Sequence, residues 1–330
     1  MYKRQRERLA EFFGVAEGEL ALMRGVSEGI QTEVRGMAWH EGDEILISGD
    51  EEAAVLLPAL HLRELYGVKV VKLPLLAEGE EQVAAAEERI GKKTKLVALS
   101  HVTTDLGYRL PVERICAVAR ARGVYSFLDM AHSAGLYPLN LRELGCDFAG
   151  VLSYKWMYSP YAAGMLYVNT GRIGELAVRF PGGRSESWLD FETDRFELHD
   201  SADRFQFGPW AWPLVHAWAA ACDWLTSIGS AEIAELTGRR TDRLNRRLQS
   251  IETFELLTPG EFTRSAALVS MSMTGWTGED LAATLRERWN MIVKPLPHTR
   301  EGLRISVPFF LLEEEIDRLV EALGELAVCS

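Results

Sequence analysis

Apolar runs long enough to cross a membrane are missing from this sequence. No stretch approaches the roughly 18 to 20 consecutive apolar residues that a span needs, and the charged opening MYKRQRERLAEFF has no apolar signal core. The expectation is a cytoplasmic protein with no membrane partner. Cysteine is scarce: Cys116, Cys146, Cys222 and Cys329 are scattered without a CxxC pair, so neither a metal site nor a disulfide framework is indicated. The first three read as small buried hydrophobes. Basic charge is also in deficit, with 36 Lys and Arg against 48 Asp and Glu for a net charge of −12, which opposes nucleic acid as a partner. The densest basic cluster, Arg239, Arg240, Arg243, Arg246 and Arg247, falls in a helix-like run and reads as a solvated face. No GxGxxG follows the first predicted strand, which weakens a nicotinamide-dependent reading. There is no internal repeat and no low-complexity linker.

What is present is ordinary globular material. With 330 residues, 47% hydrophobic and 25% charged, the chain can bury one large domain and a smaller one. From residue 44 short β-branched runs alternate with longer helical patterns, as in a mostly parallel sheet with crossover helices. EILIS (44–48), VKVVKL (68–73), LVALS (96–100), YSFLD (125–129) and FAGVLS (148–153) are predicted strands. PALHLRELYG and VERICAVARARG are predicted helices, ended by Gly67 and Gly123. After Trp210 apolar residues recur at three and four spacing through WPLVHAWAAACDWLTSIG and AEIAELTGRRTDRLNRRLQSI. Strand-like LVSMSM and LRISV then flank a helical ATLRERWN, and a helical EEEIDRLVEALGEL closes the chain. The reading is an α/β large domain over 1–225 and a small α+β domain over 226–330. The segment 181–203, rich in Gly, Ser, Glu and Asp, reads as a long irregular loop.

Ligands of an open α/β sheet bind beyond the carboxyl ends of its strands, and there the sequence is unusually polar. LVALS leads into His101, Thr103 and Thr104; YSFL ends in Asp129, with His132 and Ser133 next; FAGVLS leads into Tyr154 and Lys155. Each has a bland alternative taken singly, since a strand-end Lys is usually solvated and an Asp there often caps a helix. As a set they could hold an aromatic, anionic cofactor.

The run from Ser100 to Val168 resembles the core of class V pyridoxal 5'-phosphate (PLP) enzymes, the aminotransferase and cysteine desulfurase-like family. There a Ser-His-Val strand end, an Asp-x-Ala-(Gln/His)-x-x-Gly segment and a (His/Tyr)-Lys-Trp segment recur. RGVSEGIQ and GDEILISGDEEAA upstream, and LRISVPFFLLEEEIDRLVEAL downstream, extend the likeness over nearly the whole chain. The texture is most similar to isopenicillin N epimerase-like members. The resemblance implies the PLP-dependent transferase fold type I and an enzyme acting on the α-carbon of a small amino-acid substrate. Lys155 would hold the cofactor as a Schiff base and move the α-proton, which requires a lysine shifted from its ordinary pKa of roughly 10.4. Asp129 would pair with the pyridinium nitrogen, His101 would stack on the ring, and His132 would lie near the ring hydroxyl. Backbone amides of Gly25 and Val26 and the Ser27 hydroxyl, at a helix start, would hold the phosphate, with Tyr154 as a further donor. Arg304 would grip the substrate carboxylate through a bidentate fork, its bland alternative being a surface charge on a strand.

Four departures qualify the pattern. RFQFGPW carries Pro209 where relatives place a Thr that reaches the phosphate of a neighbouring subunit's cofactor, and Val26 replaces a common Thr. No Cys occurs between Gly275 and Arg304, where desulfurases carry their mobile nucleophile, so a persulfide-forming desulfurase is not expected and aminotransferase, epimerase and lyase outcomes stay open. Family members usually carry several dozen residues before the helix matching LAEFFG, where this sequence has MYKRQRER. That predicts PLP binding with weak turnover. The competing reading is a catalytically reduced member serving as a binding or dimerisation module. Retention of Lys155, Asp129, His101 and Arg304 together argues against it. A homodimer is expected from the resemblance, with FGPWAWP as interface material.

Overall fold

The structure is a computed structural model that describes residues 2–76, 78–297 and 300–328. The chain divides into two compact units, one comprising residues 1–101 and 111–229, the other 102–110 and 230–330.

The first unit is built on α1 (Tyr2–Phe13), β1 (Leu20–Met23), α2 (Val26–Gly36), β2 (Glu44–Ser48), α3 (Ala53–Tyr66), β3 (Lys69–Leu73), α4 (Gly79–Arg89) and β4 (Thr94–Ser100). It continues through α5 (Val112–Ala121), β5 (Tyr125–Asp129), α6 (Leu141–Leu144), β6 (Phe148–Leu152), β7 (Gly164–Val168), β8 (Glu186–Asp190), β9 (Arg195–Leu198) and α7 (Trp212–Ile228). Seven strands form one sheet in the order β1-β7-β6-β5-β4-β2-β3. Only β7 runs against the others, pairing antiparallel with β6 and with β1. The central strands are buried almost end to end, because crossover helices cover both faces of such a sheet. β3 at the edge is the exception, its Lys69 and Lys72 keeping an unpaired strand edge polar. Ile45, Ile47, Leu96, Phe127, Phe148 and Leu166 make one core with the apolar stripe Val26, Ile30 and Val34 of α2.

Two glycines on the sheet let α2 press close. A Cβ on Gly150 would stand 3.0 Å from Val26 Cγ1, and one on Gly164 only 2.7 Å from the Cα of Gly25. The first turn of α2 therefore lies directly against β6 and β7.

The second unit carries α8 (Ser230–Leu248), β10 (Phe254–Leu256), β11 (Leu268–Met273), α9 (Gly278–Trp289), β12 (Lys294–Pro295), β13 (Leu303–Ser306) and α10 (Glu313–Val328). Its sheet runs β10-β11-β13-β12, antiparallel throughout. Leu244, Val269, Met271, Leu285, Leu303, Ile316 and Leu323 fill its core. The basic run on α8 is not wholly a solvated face, since Arg243 reaches across to Asp317 of α10 at 2.6 Å.

The strands predicted at 44–48, 96–100, 125–129 and 148–153 form close to those limits. The segment 181–203 differs from its reading as an irregular loop, because β8 and β9 pair as an antiparallel hairpin. Both strands are largely solvent-exposed, so no apolar alternation marks them. Their turn is held by Asp190, which accepts from the Glu192 amide and the Thr193 hydroxyl. No helix among the described residues is long and apolar enough to cross a membrane.

Candidate active site

Adjacent positions of β4, β5 and β6 in the sheet bring three separated segments to one edge. Ser100 is in register with Asp129, and Asp129 with Gly150, so the residues after each strand emerge side by side. The His101 amide donates to the Asp129 carbonyl at 2.9 Å, and the Met130 amide to that of Gly150 at 2.9 Å. His101 is 1% exposed, with its ring tilted against Tyr137 at 6.3 Å between centroids.

Asp129 is buried, and Oδ1 accepts the Ala131 amide at 2.7 Å. Burial pushes its carboxyl up to about 6, opposed by that amide and, when Lys155 is protonated, by its ammonium. Lys155 Nζ lies 3.0 Å from His132 Nε2, and the indole N–H of Trp156 reaches His132 Nδ1 at 3.3 Å. Gly135 makes this packing possible. With φ of 93° and a hypothetical Cβ only 2.2 Å from the Trp156 carbonyl oxygen, no side chain fits there. Tyr154, half-buried, stacks on Tyr161 at 4.2 Å.

The amino end of α2 completes this edge. Gly25 is its N-cap and no side chain caps it, so the first-turn amides are not satisfied by a capping side chain. Ser27 is exposed while Val26 points into the core against Gly150, so Val26 can contribute only its backbone. An amine, a buried acid, two imidazoles and uncapped helix amides are the donor set that an aromatic aldehyde with an anionic group requires, and here the residues present fit PLP.

The first unit thus holds Gly25, Val26, Ser27, His101, Asp129, His132, Tyr154 and Lys155. Arg304 belongs to the second unit. It lies on β13, and its guanidinium donates to the carbonyl and hydroxyl oxygens of Thr104. Arg304 also lines a cavity of about 600 Å³ together with Trp289, Met291, Lys294, Leu311 and Arg318.

One group escaped the sequence reading. Glu51, just beyond β2, accepts from the Ser48 amide at 3.2 Å, the Ser100 amide at 3.0 Å and the Ser100 hydroxyl at 2.6 Å. It ties the carboxyl ends of β2 and β4 together immediately before His101. Burial pushes its carboxyl up to about 7, with the charge of Asp129 acting in the same direction. Within GDEE only its place in the GDEILISGDEEAA likeness set it apart, because its burial follows from the pairing of β2 with β4.

The sequence model described as Aminotransferase class-V matches residues 1–319. The chain belongs to the class V aminotransferase family. Among class V relatives it is 30% identical to isopenicillin N epimerase of Streptomyces clavuligerus, over 97% of this chain and 83% of that protein. It is 27% identical to a probable cysteine desulfurase of Methanothermobacter thermautotrophicus, over 98% of this chain and 82% of that one. Two solved class V structures share the fold type I architecture. Apo cysteine desulfurase from Thermococcus onnurineus superposes with a TM-score of 0.91 at 24% identity, covering 100% of this chain and 84% of that chain. A lysine-to-alanine variant of C-DES, with glycine covalently linked to its PLP cofactor, gives 0.90 at 25% identity, covering 98% and 84%. The class V assignment makes this a PLP-dependent protein of amino-acid chemistry.

Proposed function

We propose that this chain uses Lys155 to act on the α-carbon of a small amino acid, as an aminotransferase, epimerase or lyase. The observation that carries the proposal is the contact of Lys155 Nζ with His132 beside the buried carboxyl of Asp129. Bound PLP supplies an electron-withdrawing ring that stabilises negative charge at the α-carbon of an amino acid joined to it. Lys155 would hold the cofactor and would take and return the α-proton at Nζ. Asp129, as a carboxylate, would pair with the pyridine nitrogen and favour its protonated form. His101 would stack on the ring, and His132 would lie near the ring hydroxyl. The amides of Gly25 and Val26, with the Ser27 hydroxyl, hold the phosphate, and Tyr154 adds a donor. Arg304, in the second unit, binds the substrate carboxylate, for which a planar fork is better suited than an ammonium.

The reading disfavours a persulfide-forming desulfurase. Cys116, Cys146 and Cys222 are buried, and desolvation pushes each thiol up, that of Cys116 to about 12, which disfavours a nucleophilic thiolate. Cys329 lies outside the described residues. A cytoplasmic homodimer is part of the same proposal. It is supported by the family and by the exposed Phe207 near Trp210 and Trp212.

The test is α-proton exchange. Incubated with amino acids in deuterium oxide, the PLP-loaded wild type should exchange the α-hydrogen of its substrates, and Lys155→Ala should lose at least a thousandfold of that rate. Unaltered exchange in Lys155→Ala would remove Lys155 from the proposal.

A further inference from the structure

We propose that Trp156 is a positioning residue: its indole N–H fixes the tautomer of His132, and His132 in turn holds Lys155 as a neutral amine ready to bond to a carbonyl carbon. Trp156 and His132 are 6% and 5% exposed, so no bulk solvent competes for this contact. An indole nitrogen only donates, and Trp156 Nε1 faces His132 Nδ1 at 3.3 Å. Nδ1 must therefore present a lone pair. That excludes the imidazolium, which carries hydrogen on both nitrogens, and leaves the single ring hydrogen on Nε2.

Nε2 faces Lys155 Nζ at 3.0 Å. With hydrogen on Nε2 the lysine nitrogen must accept, and an ammonium has no lone pair to accept with. The same lone pair is what attachment consumes. It bonds to the aldehyde carbon of PLP, and the two amine hydrogens leave with the carbonyl oxygen as one water. The packing is close, because a Cβ on Gly135 of the loop that carries His132 would meet the Trp156 carbonyl oxygen at 2.2 Å.

Other charges bear on Lys155. Asp129 of β5 favours the ammonium, and Glu51 and Glu52 add negative charge around Asp129, while Tyr154 adjoins on the same segment. Burial weakens that pull by favouring the protonated forms of Asp129 and Glu51. The Trp156–His132 contact acts in the opposite direction, toward the amine.

The consequence for cofactor capture rests on Lys155 being the attachment residue proposed above, whereas the tautomer does not. The test uses the 330-residue chain, freed of PLP with hydroxylamine and labelled with nitrogen-15 at its seven histidines. His132→Gln assigns the resonance. Wild type should show the Nε2–H tautomer at neutral pH; an imidazolium or an Nδ1–H tautomer would overturn the proposal whatever the variants do. Trp156→Phe should lose the fixed tautomer. Its rate of PLP capture, followed by visible absorbance, should fall about tenfold at neutral pH and recover about one pH unit higher. A folded Trp156→Phe protein with the wild-type tautomer and pH profile would also overturn it. Covalent capture surviving in Lys155→Ala would instead refute the attachment residue and leave the tautomer standing.

Discussion

Asp129 and Glu51 are two buried carboxyls whose proton affinities are raised by the same cause, loss of water, to about 6 and about 7. A carboxyl with a raised folded pKa stabilises the fold fully below its unfolded value, and that contribution is lost as pH rises through the folded one. For the apoprotein the window runs from about pH 4 to about pH 7, and each group accounts for roughly 3 kcal/mol across it at about 1.4 kcal/mol per tenfold change in proton affinity. Urea denaturation of the apoprotein at pH 5 and pH 8 should therefore give a shallower loss of stability in Asp129→Asn and in Glu51→Gln than in wild type. Equal slopes would mean that these carboxyls are already ionised at pH 5. Asp129 was legible because an apolar strand ends in it and a histidine follows three residues later. Glu51 was hardly legible, since its partner Ser100 lies 49 residues away.

Among the elements, α2 concentrates the proposed phosphate contacts and the cost of close packing. Its first turn is set by the approach of Gly25 to Gly164, and the atoms that a Cβ at 164 would meet are backbone, including Val151 O at 2.5 Å. No side-chain rotation relieves that. Gly164→Ala should lower stability by about 1–3 kcal/mol and weaken PLP binding through a displaced helix start; unchanged affinity with unchanged stability would show that β7 yields freely. On the same helix Glu33 is fully buried, and neither carboxyl oxygen has a hydrogen-bond partner among the described residues. Burial, with the charge of Asp147 in the same direction, pushes it well above the usual carboxylate range. Glu33→Leu should raise stability by about 1–3 kcal/mol, measured by urea denaturation at pH 8, and a loss would mean the carboxyl has a role this packing does not reveal. The parallel strands were legible as β-branched runs. β7 was not, because GMLYV lacks flanking polar alternation, and neither was the β8–β9 hairpin, whose two faces both meet water.

At the scale of the whole molecule, the family could be recognised because several short segments keep their order and spacing across the chain, and the fold follows from that order. The placement of the candidate site was partly legible for the same reason: Lys155, Asp129 and His101 follow or end strands that are adjacent in the sheet though distant in sequence. What no local pattern carries is the contact of side chains across those ends, such as Trp156 on His132 or Glu51 on Ser100. Activity on the α-carbon depends above all on where the cofactor is bound. The most direct measurement is to reduce the PLP-loaded protein with borohydride, digest it and map the fixed pyridoxyl group by mass spectrometry. The account predicts a single modified peptide carrying the group on Lys155, and none from Lys155→Ala. A pyridoxyl group on any other lysine, or an undiminished yield from Lys155→Ala, would contradict it.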